Sequence, residues 1–195
     1  MSDRQLPGGK IVAFAKYVEK LRLIYSSHDA QLNLAKGNTE TALAKAEVRL
    51  GFSLDPGLRA AWRIADGSEH EVRVFLRPGF LTGYDFLSLV SAEKARARME
   101  RVSPQYVDYV EPSPRDRRIR DGWYQSGWLP FAAFGGNSLT LIQDYAPADG
   151  GKVGQIIAFT HDPDEISYVA PDFSTFLRLS LNAIKDDPEE FLEIF

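Results

Sequence analysis

The stretch Trp128-Leu129-Pro130-Phe131-Ala132-Ala133-Phe134-Gly135-Gly136-Asn137-Ser138-Leu139-Thr140-Leu141-Ile142-Gln143-Asp144 decides the fold. Two apolar runs flank Gly135-Gly136-Asn137, residues that adopt turn conformations at low steric cost. After the turn, Leu139, Leu141 and Gln143 alternate with Thr140, Ile142 and Asp144, the period-two pattern of a strand. The loop Tyr145 to Lys152 follows, with Pro147, Gly150 and Gly151, and Val153 to Thr160 reads as another strand. His161-Asp162-Pro163-Asp164 then reads as a turn and Glu165 to Val169 as a returning strand. Consecutive strands joined by short turns pair antiparallel.

Upstream, Val72, Val74 and Leu76 alternate with Glu71, Arg73 and Phe75, which predicts a half-buried strand. Pro78-Gly79 turns the chain, and Phe80 to Leu87 reads as a further strand, irregular at Gly83. Ser91 is placed to cap a helix carrying Ala95, Met99 and Val102, which Pro104 kinks or ends. The segment Glu111 to Gly122 reads as an exposed loop.

Helices occupy both ends. Ile11, Phe14, Ala15, Val18, Leu21 and Tyr25 form one helical stripe, followed by a polar connector from Ser26 to Gly37. A helix starting at Asn38 or Thr39 carries Leu43, Ala46 and Leu50 and stops at Gly51. Asp55-Pro56 starts a third, which buries Leu58, Ala61, Trp62 and Ala65 and stops at Asp66-Gly67. Phe173, Phe176, Leu177, Ser180 and Ile184 mark a long helix after Pro171-Asp172, and Asp187-Pro188 opens a short tail helix within 186–195. The expected fold is α+β: a single mixed, mostly antiparallel sheet of about six strands flanked by N-terminal and C-terminal helices. One domain is expected over 1–195, with 1–38 a helical extension packed on it.

The 195 residues, 44% hydrophobic and 26% charged, suit a globular domain, and 12 Phe, 8 Tyr and 3 Trp supply its core. There is no cysteine, which excludes disulfides, thiol nucleophiles and Cys-ligated metals. Met1 to Lys10 is polar, and Lys16, Glu19, Lys20 and Arg22 interrupt the apolar stretch after it, unlike a signal peptide. No window approaches the ~18 consecutive apolar residues of a membrane helix. A cytoplasmic protein without membrane contact is expected. The net charge of −4 is unevenly spread: Lys94 to Arg120 holds eight basic and four acidic side chains, His161 to Phe195 nine acidic and two basic. That asymmetry suits a charged partner; two solvated faces of opposite sign are the plainer reading.

The sequence has no G-x-x-x-x-G-K-[ST] and no G-x-G-x-x-G, and its glycine pairs fall in turns. His161, Asp162, Asp164 and Glu165 have carboxylates beside an imidazole, yet their spacing matches no metal motif, and Asp-Pro-Asp suits a turn. No G-x-S-x-G is present, and His28, His70 and His161 have no recognisable serine partner. Arg115, Arg117, Arg118 and Arg120 are interrupted by Asp116 and flanked by Glu111 and Asp121, which favours a solvated or partner-facing loop over nucleic acid. No catalytic residue, metal or cofactor is assigned. The rival reading is an enzyme acting on carbohydrate or nucleotide through the carboxylates near His161.

Four segments, taken in order, resemble the SUKH superfamily of Smi/Knr-like domains, which includes fungal cell-wall assembly regulators and bacterial toxin-immunity proteins. Glu47, Leu50, Gly51 and Leu54 match its E-x-x-L-G-x-x-L-P pattern, with the proline displaced to Pro56. Trp128-Leu129-Pro130 is similar to its W-x-P strand, and Gly151 to Ile157 to its G-x-x-G-x-V strand. Val169-Ala170-Pro171-Asp172-Phe173-Ser174-Thr175-Phe176-Leu177 is similar to the start of its last helix, with Asp172 in place of the usual Ser. The match runs over 39–181 and omits the Arg-rich loop. The resemblance implies a non-enzymatic protein-binding domain, either an immunity protein that neutralises a toxin or a regulatory scaffold in envelope synthesis. Expected partner contacts are Tyr84, Asp85, Trp123, Tyr124, Asp144 and Tyr145 on loops and strand ends. An acidic patch of Asp162, Asp164 and Glu165 would meet a basic toxin.

Overall fold

The structure is a computed structural model that describes residues 8–193 apart from residue 112. The polar stretch Met1 to Lys10 thus lies mostly outside the described residues, as does the end of the tail.

Six strands form one sheet in the order β3(Arg73–Leu76), β4(Gly83–Phe86), β5(Trp128–Phe134), β6(Leu139–Asp144), β7(Gln155–Thr160) and β8(Glu165–Ala170). Every neighbouring pair is antiparallel, so the mixed sheet expected from sequence is purely antiparallel. Short connections account for the other pairs, whereas β4 and β5 pair antiparallel although α4(Leu89–Val102) and the segment after it lie between them. Pro130 lies in a central strand without an N–H to donate, and the β5–β6 register shifts between Pro130 and Ala132.

On the inner face lie α1(Gly8–Ser27), α3(Pro56–Ile64) and α5(Phe173–Asp186). Phe14, Phe75, Phe86, Phe131, Phe173 and Phe176 meet there in tilted and edge-on contacts, and Trp62 stacks on Phe86. Caps fix the helix starts. Thr39 accepts from the Ala42 N–H to open α2(Glu40–Leu50), Asp55 from Gly57, and Asp172 from Thr175. Gly51 closes α2 with φ at 80°, a left-handed conformation that costs glycine little. The tail helix α6(Pro188–Leu192) buries Phe191.

Several boundaries differ from the expectation. The connector Ser26 to Gly37 contains a strand, β1(Leu34–Lys36), which pairs with β2(Ala65–Ser68) where only a helix stop was expected. The helix α4(Leu89–Val102) is capped by Ser88 rather than Ser91, and a 3-10 turn Ser103–Tyr106 follows it at Pro104. The strand read over Phe80 to Leu87 is confined to Gly83–Phe86, and all of β3 is buried, including Arg73. Among the described residues, no helix is long and apolar enough to cross a membrane.

Phe75 touches Phe14, Phe86, Phe131, Phe173 and Phe176, so Phe75→Ala leaves a cavity that its neighbours cannot close. Urea denaturation should show a loss of about 3–5 kcal/mol. Val48→Ala, at an exposed position on α2, should stay within about 0.5 kcal/mol of the parent.

Candidate functional site

The outer face of the sheet is built from alternate side chains of the central strands. Register places Trp128 beside Asp144, Ile142 beside Ile157, Thr140 beside Phe159, and Phe159 beside Ile166. Met99 of α4 and Ile119 close over Trp128, Ile142, Ile157, Phe159 and Ile166 as a second hydrophobic cluster. The segment from Ser103 to Gly127 crosses this face with little regular structure, so its polar groups need partners.

Those partners come largely from the start of β8. The Trp123 Nε1 donates to Asp164 Oδ2 at 2.7 Å, and the Tyr109 hydroxyl donates to the Asp164 carbonyl at 2.5 Å. Glu111 accepts from the Ile166 N–H at 3.2 Å and holds Arg115 in a two-point ion pair of 2.6 and 2.9 Å. Further along, Gln155 Nε2 donates to both the Arg118 carbonyl and Asp144 Oδ2 at 2.9 Å. The loop expected to be exposed is therefore fastened to the sheet, with Ile119 buried. Arg115 and Arg118 are occupied by Glu111 and Asp116.

Where α4 and this strap diverge they leave a cleft of about 330 Å³. Met99, Val102, Trp123, Pro130 and Phe159 make it apolar, and Thr140, Asn137 and Ser138 add polar groups from the β5–β6 hairpin. Arg98 and His161 stand on its lining, and Tyr106 stacks on Trp123 at 4.4 Å between ring centres. His161 Nδ1 lies 2.5 Å from Asp164 Oδ1, an orientation familiar from hydrolytic His–Asp pairs. The nearby Ser138 hydroxyl, however, donates to the Phe134 carbonyl at 3.3 Å. Among the described residues, no group of three or more metal-ligating side chains converges.

The residues expected from sequence fall into two sets. Tyr84 and Asp144 are completely buried and Asp164 nearly so, which leaves none of them a side chain to present to a partner. Tyr84 faces the inner core. Asp144 accepts from the Ala146 N–H and from Gln155, and burial pushes its carboxyl above the usual carboxylate range. Asp85 is tied to Arg73 at 2.5 Å. Tyr145 stacks on Phe52, donates to Gln143 Oε1 and accepts from the Asp55 N–H, and burial pushes its hydroxyl up. Trp123 lines the cleft and Tyr124 packs half-buried beside the same cluster. Asp162 is exposed and Glu165 half-buried, so Asp164, turned inward, breaks the acidic patch. Arg98, Tyr106, Asn137, Thr140 and Phe159 were not singled out beforehand. The alternation Ile157, Phe159 was the one available signal, since it implies a second apolar face.

The model of the SMI1/KNR4 family (SUKH-1) matches residues 37–179. The chain belongs to this family. A relative from Schizosaccharomyces pombe, described as cell wall biosynthesis/cell cycle regulator smi1, is 25% identical over 165 residues. That alignment takes in 78% of this chain and 32% of the relative, so the chain spans about a third of the relative's length. The family match covers β5 to β8 and the start of α5, and also the strap. Within it, Trp128 is fully buried on the outer face, while Gly154 takes φ of 87° and its N–H donates to the Asp144 carbonyl. Both positions serve as scaffold of the sheet.

Two measurements check the strap. Trp123→Phe removes the donor to Asp164 and should cost about 1.5–3 kcal/mol in chemical denaturation, the range for a hydrogen bond to a charged group. The Arg118 guanidinium holds the Asp116 carboxyl down to about 2. A depressed acid stabilises the fold fully above its unfolded value and loses that contribution as pH falls through the folded one. A carboxyl-carbon NMR titration should place the Asp116 midpoint near 2, and Arg118→Ala should return it toward 3.8.

Proposed function

We propose that the chain is a non-enzymatic, cytoplasmic protein-binding domain that holds its partner on the outer face, around the cleft beneath α4. One observation carries this reading: next to the cleft, Val107 and Val110 are 79% and 85% exposed, with Tyr109 between them. Isolated exposed apolar side chains are ordinary, but a run of them bordering an apolar cleft marks an interaction surface. The cleft and the adjoining hollow lined by Tyr106, Val107, Tyr109 and Val110 share the Tyr106–Trp123 stack as a common wall. Trp and Tyr so placed have the character of interface anchors.

The role of the fungal relative as a regulator of cell-wall biosynthesis and the cell cycle supports a regulatory partner for this surface. Immunity against a bacterial toxin is the second role that SUKH membership supports, and it uses the same kind of surface. In either role no catalytic residue is required, and the His161–Asp164 pair serves to hold the strap.

The test is a double substitution, Val107→Glu with Val110→Glu, at positions too exposed to disturb folding. A partner captured by the parent chain, identified, and reconstituted from purified components should bind at least about tenfold more weakly to the variant, at unchanged melting temperature. Undiminished binding would place the partner elsewhere. A fall in self-association by sedimentation instead would identify the surface as a contact between copies of the chain.

A further inference from the structure

Six guanidinium groups among the described residues are paired with acids. Arg49 pairs with Glu93, Arg59 and Arg63 with Glu40, Arg73 with Asp85, Arg115 with Glu111 and Arg118 with Asp116. Arg98 differs. Its one hydrogen bond among the described residues goes to a neutral acceptor, the Gly136 carbonyl, at 3.2 Å. It sits on the lining of the cleft, exposed, and no Asp or Glu lines that cleft with it. Asp164, which bonds two residues of the lining, is turned inward and shared between His161 and Trp123. On the same helix Lys94 and Arg101 are exposed, and neither forms an ion pair among the described residues.

We propose that the cleft seats an acidic segment of a protein partner: one bulky apolar side chain enters between α4 and the Gly135–Asn137 hairpin, and a neighbouring carboxylate bonds the Arg98 guanidinium. This rests on the reading of the outer face as the binding surface and adds the chemistry of what it binds. A space of about 330 Å³ lies at the small end of the roughly 300–1,000 Å³ typical of ligand sites. That is room for one aromatic or branched side chain. Met99, Pro130 and Phe159 offer that side chain an apolar floor. The unmatched guanidinium supplies directional, charge-assisted bonds to a carboxylate. The positive surplus between Lys94 and Arg120 steers an acidic segment toward this face. The plainer alternative is that Arg98 is a solvated arginine touching a hairpin, and the measurements separate the two.

The probe is a fluorescent pentapeptide with a central phenylalanine flanked by glutamates, read by anisotropy against the full chain at low salt. Its counterparts carry glutamines or lysines in place of the glutamates. The acidic peptide should bind about tenfold or more tightly than the glutamine peptide, and the lysine peptide more weakly still. Arg98→Glu should abolish that preference. Arg101→Glu makes the same charge change on the same helix away from the cleft, and should shift the affinity by no more than about threefold. Equal affinity for all three peptides, equal losses in R98E and R101E, or no binding of the acidic peptide would overturn the proposal. Free 3-phenylpropionate binding as tightly as the peptide would overturn it too, since the cleft would then be a small-molecule site. If the acidic peptide fails while the Val107 and Val110 substitutions still release the native partner, the face remains the binding surface and only its assigned chemistry falls.

Discussion

Water has to be kept from both faces of the six-stranded sheet. Antiparallel sheets commonly leave one face solvated, and their strands then alternate apolar with polar. Here β6 and β7 are buried almost throughout, because Ile142, Ile157 and Phe159 on the outer side are as apolar as Leu141, Ile156 and Ala158 on the inner. Helices α1, α3 and α5 cover the inner side. Over the outer side the described residues supply the C-terminal half of α4 and a strap with little regular structure. Such a segment is stable on a hydrophobic surface only when its peptide groups and polar side chains find partners. Asp164 and Gln155 provide them from the sheet, and Glu111 of the strap itself accepts from the Ile166 N–H of β8, so three polar residues fasten an otherwise irregular cover.

The cleft follows from the same requirement. An α-helix is straight and a strap is short, and the two cannot both follow a twisted sheet. The space between them falls where the β5–β6 hairpin projects, with Gly135, Gly136 and Asn137 all at positive φ. The candidate surface is thus a gap in the outer cover, walled by the residues that hold the cover in place. Trp123 shows both roles: its ring lines the cleft while its Nε1 fastens the strap to Asp164. A partner seated there would contact the parts of the molecule with the least regular structure, where adjustment costs least.

The expected binding residues carry chemistry that displays well on a surface, and folding uses most of that chemistry internally. Asp144 and Gln155 face one another across β6 and β7, and Arg73 is set against Asp85 between β3 and β4. Tyr145 links Gln143 to the start of α3. An acidic or aromatic side chain at a strand end looks the same in sequence whether it meets solvent or a neighbouring strand. The strand β1 was hidden for a related reason. Leu34-Ala35-Lys36 is too short for a periodic signal, and only its pairing with β2 gives it a conformation.

Local chemistry was enough to determine the long helices, the caps of α2, α3 and α5, and the hairpins of the C-terminal strands. The stripe Phe14 to Tyr25, the caps Thr39, Asp55 and Asp172, and the alternation from Leu139 to Asp144 depend on spacing and backbone preference, which neighbours in sequence supply. Tertiary structure alone decided that the Arg-rich segment lies fastened to the sheet, that Asp164 points inward, and that Arg98 is left without an acid beside an apolar cleft. Those outcomes depend on which polar groups meet across 30 or more residues of chain, as Tyr109 and Trp123 meet Asp164 over separations of 55 and 41. No local pattern carries that information, because each side chain's partner exists only once the sheet has brought it there.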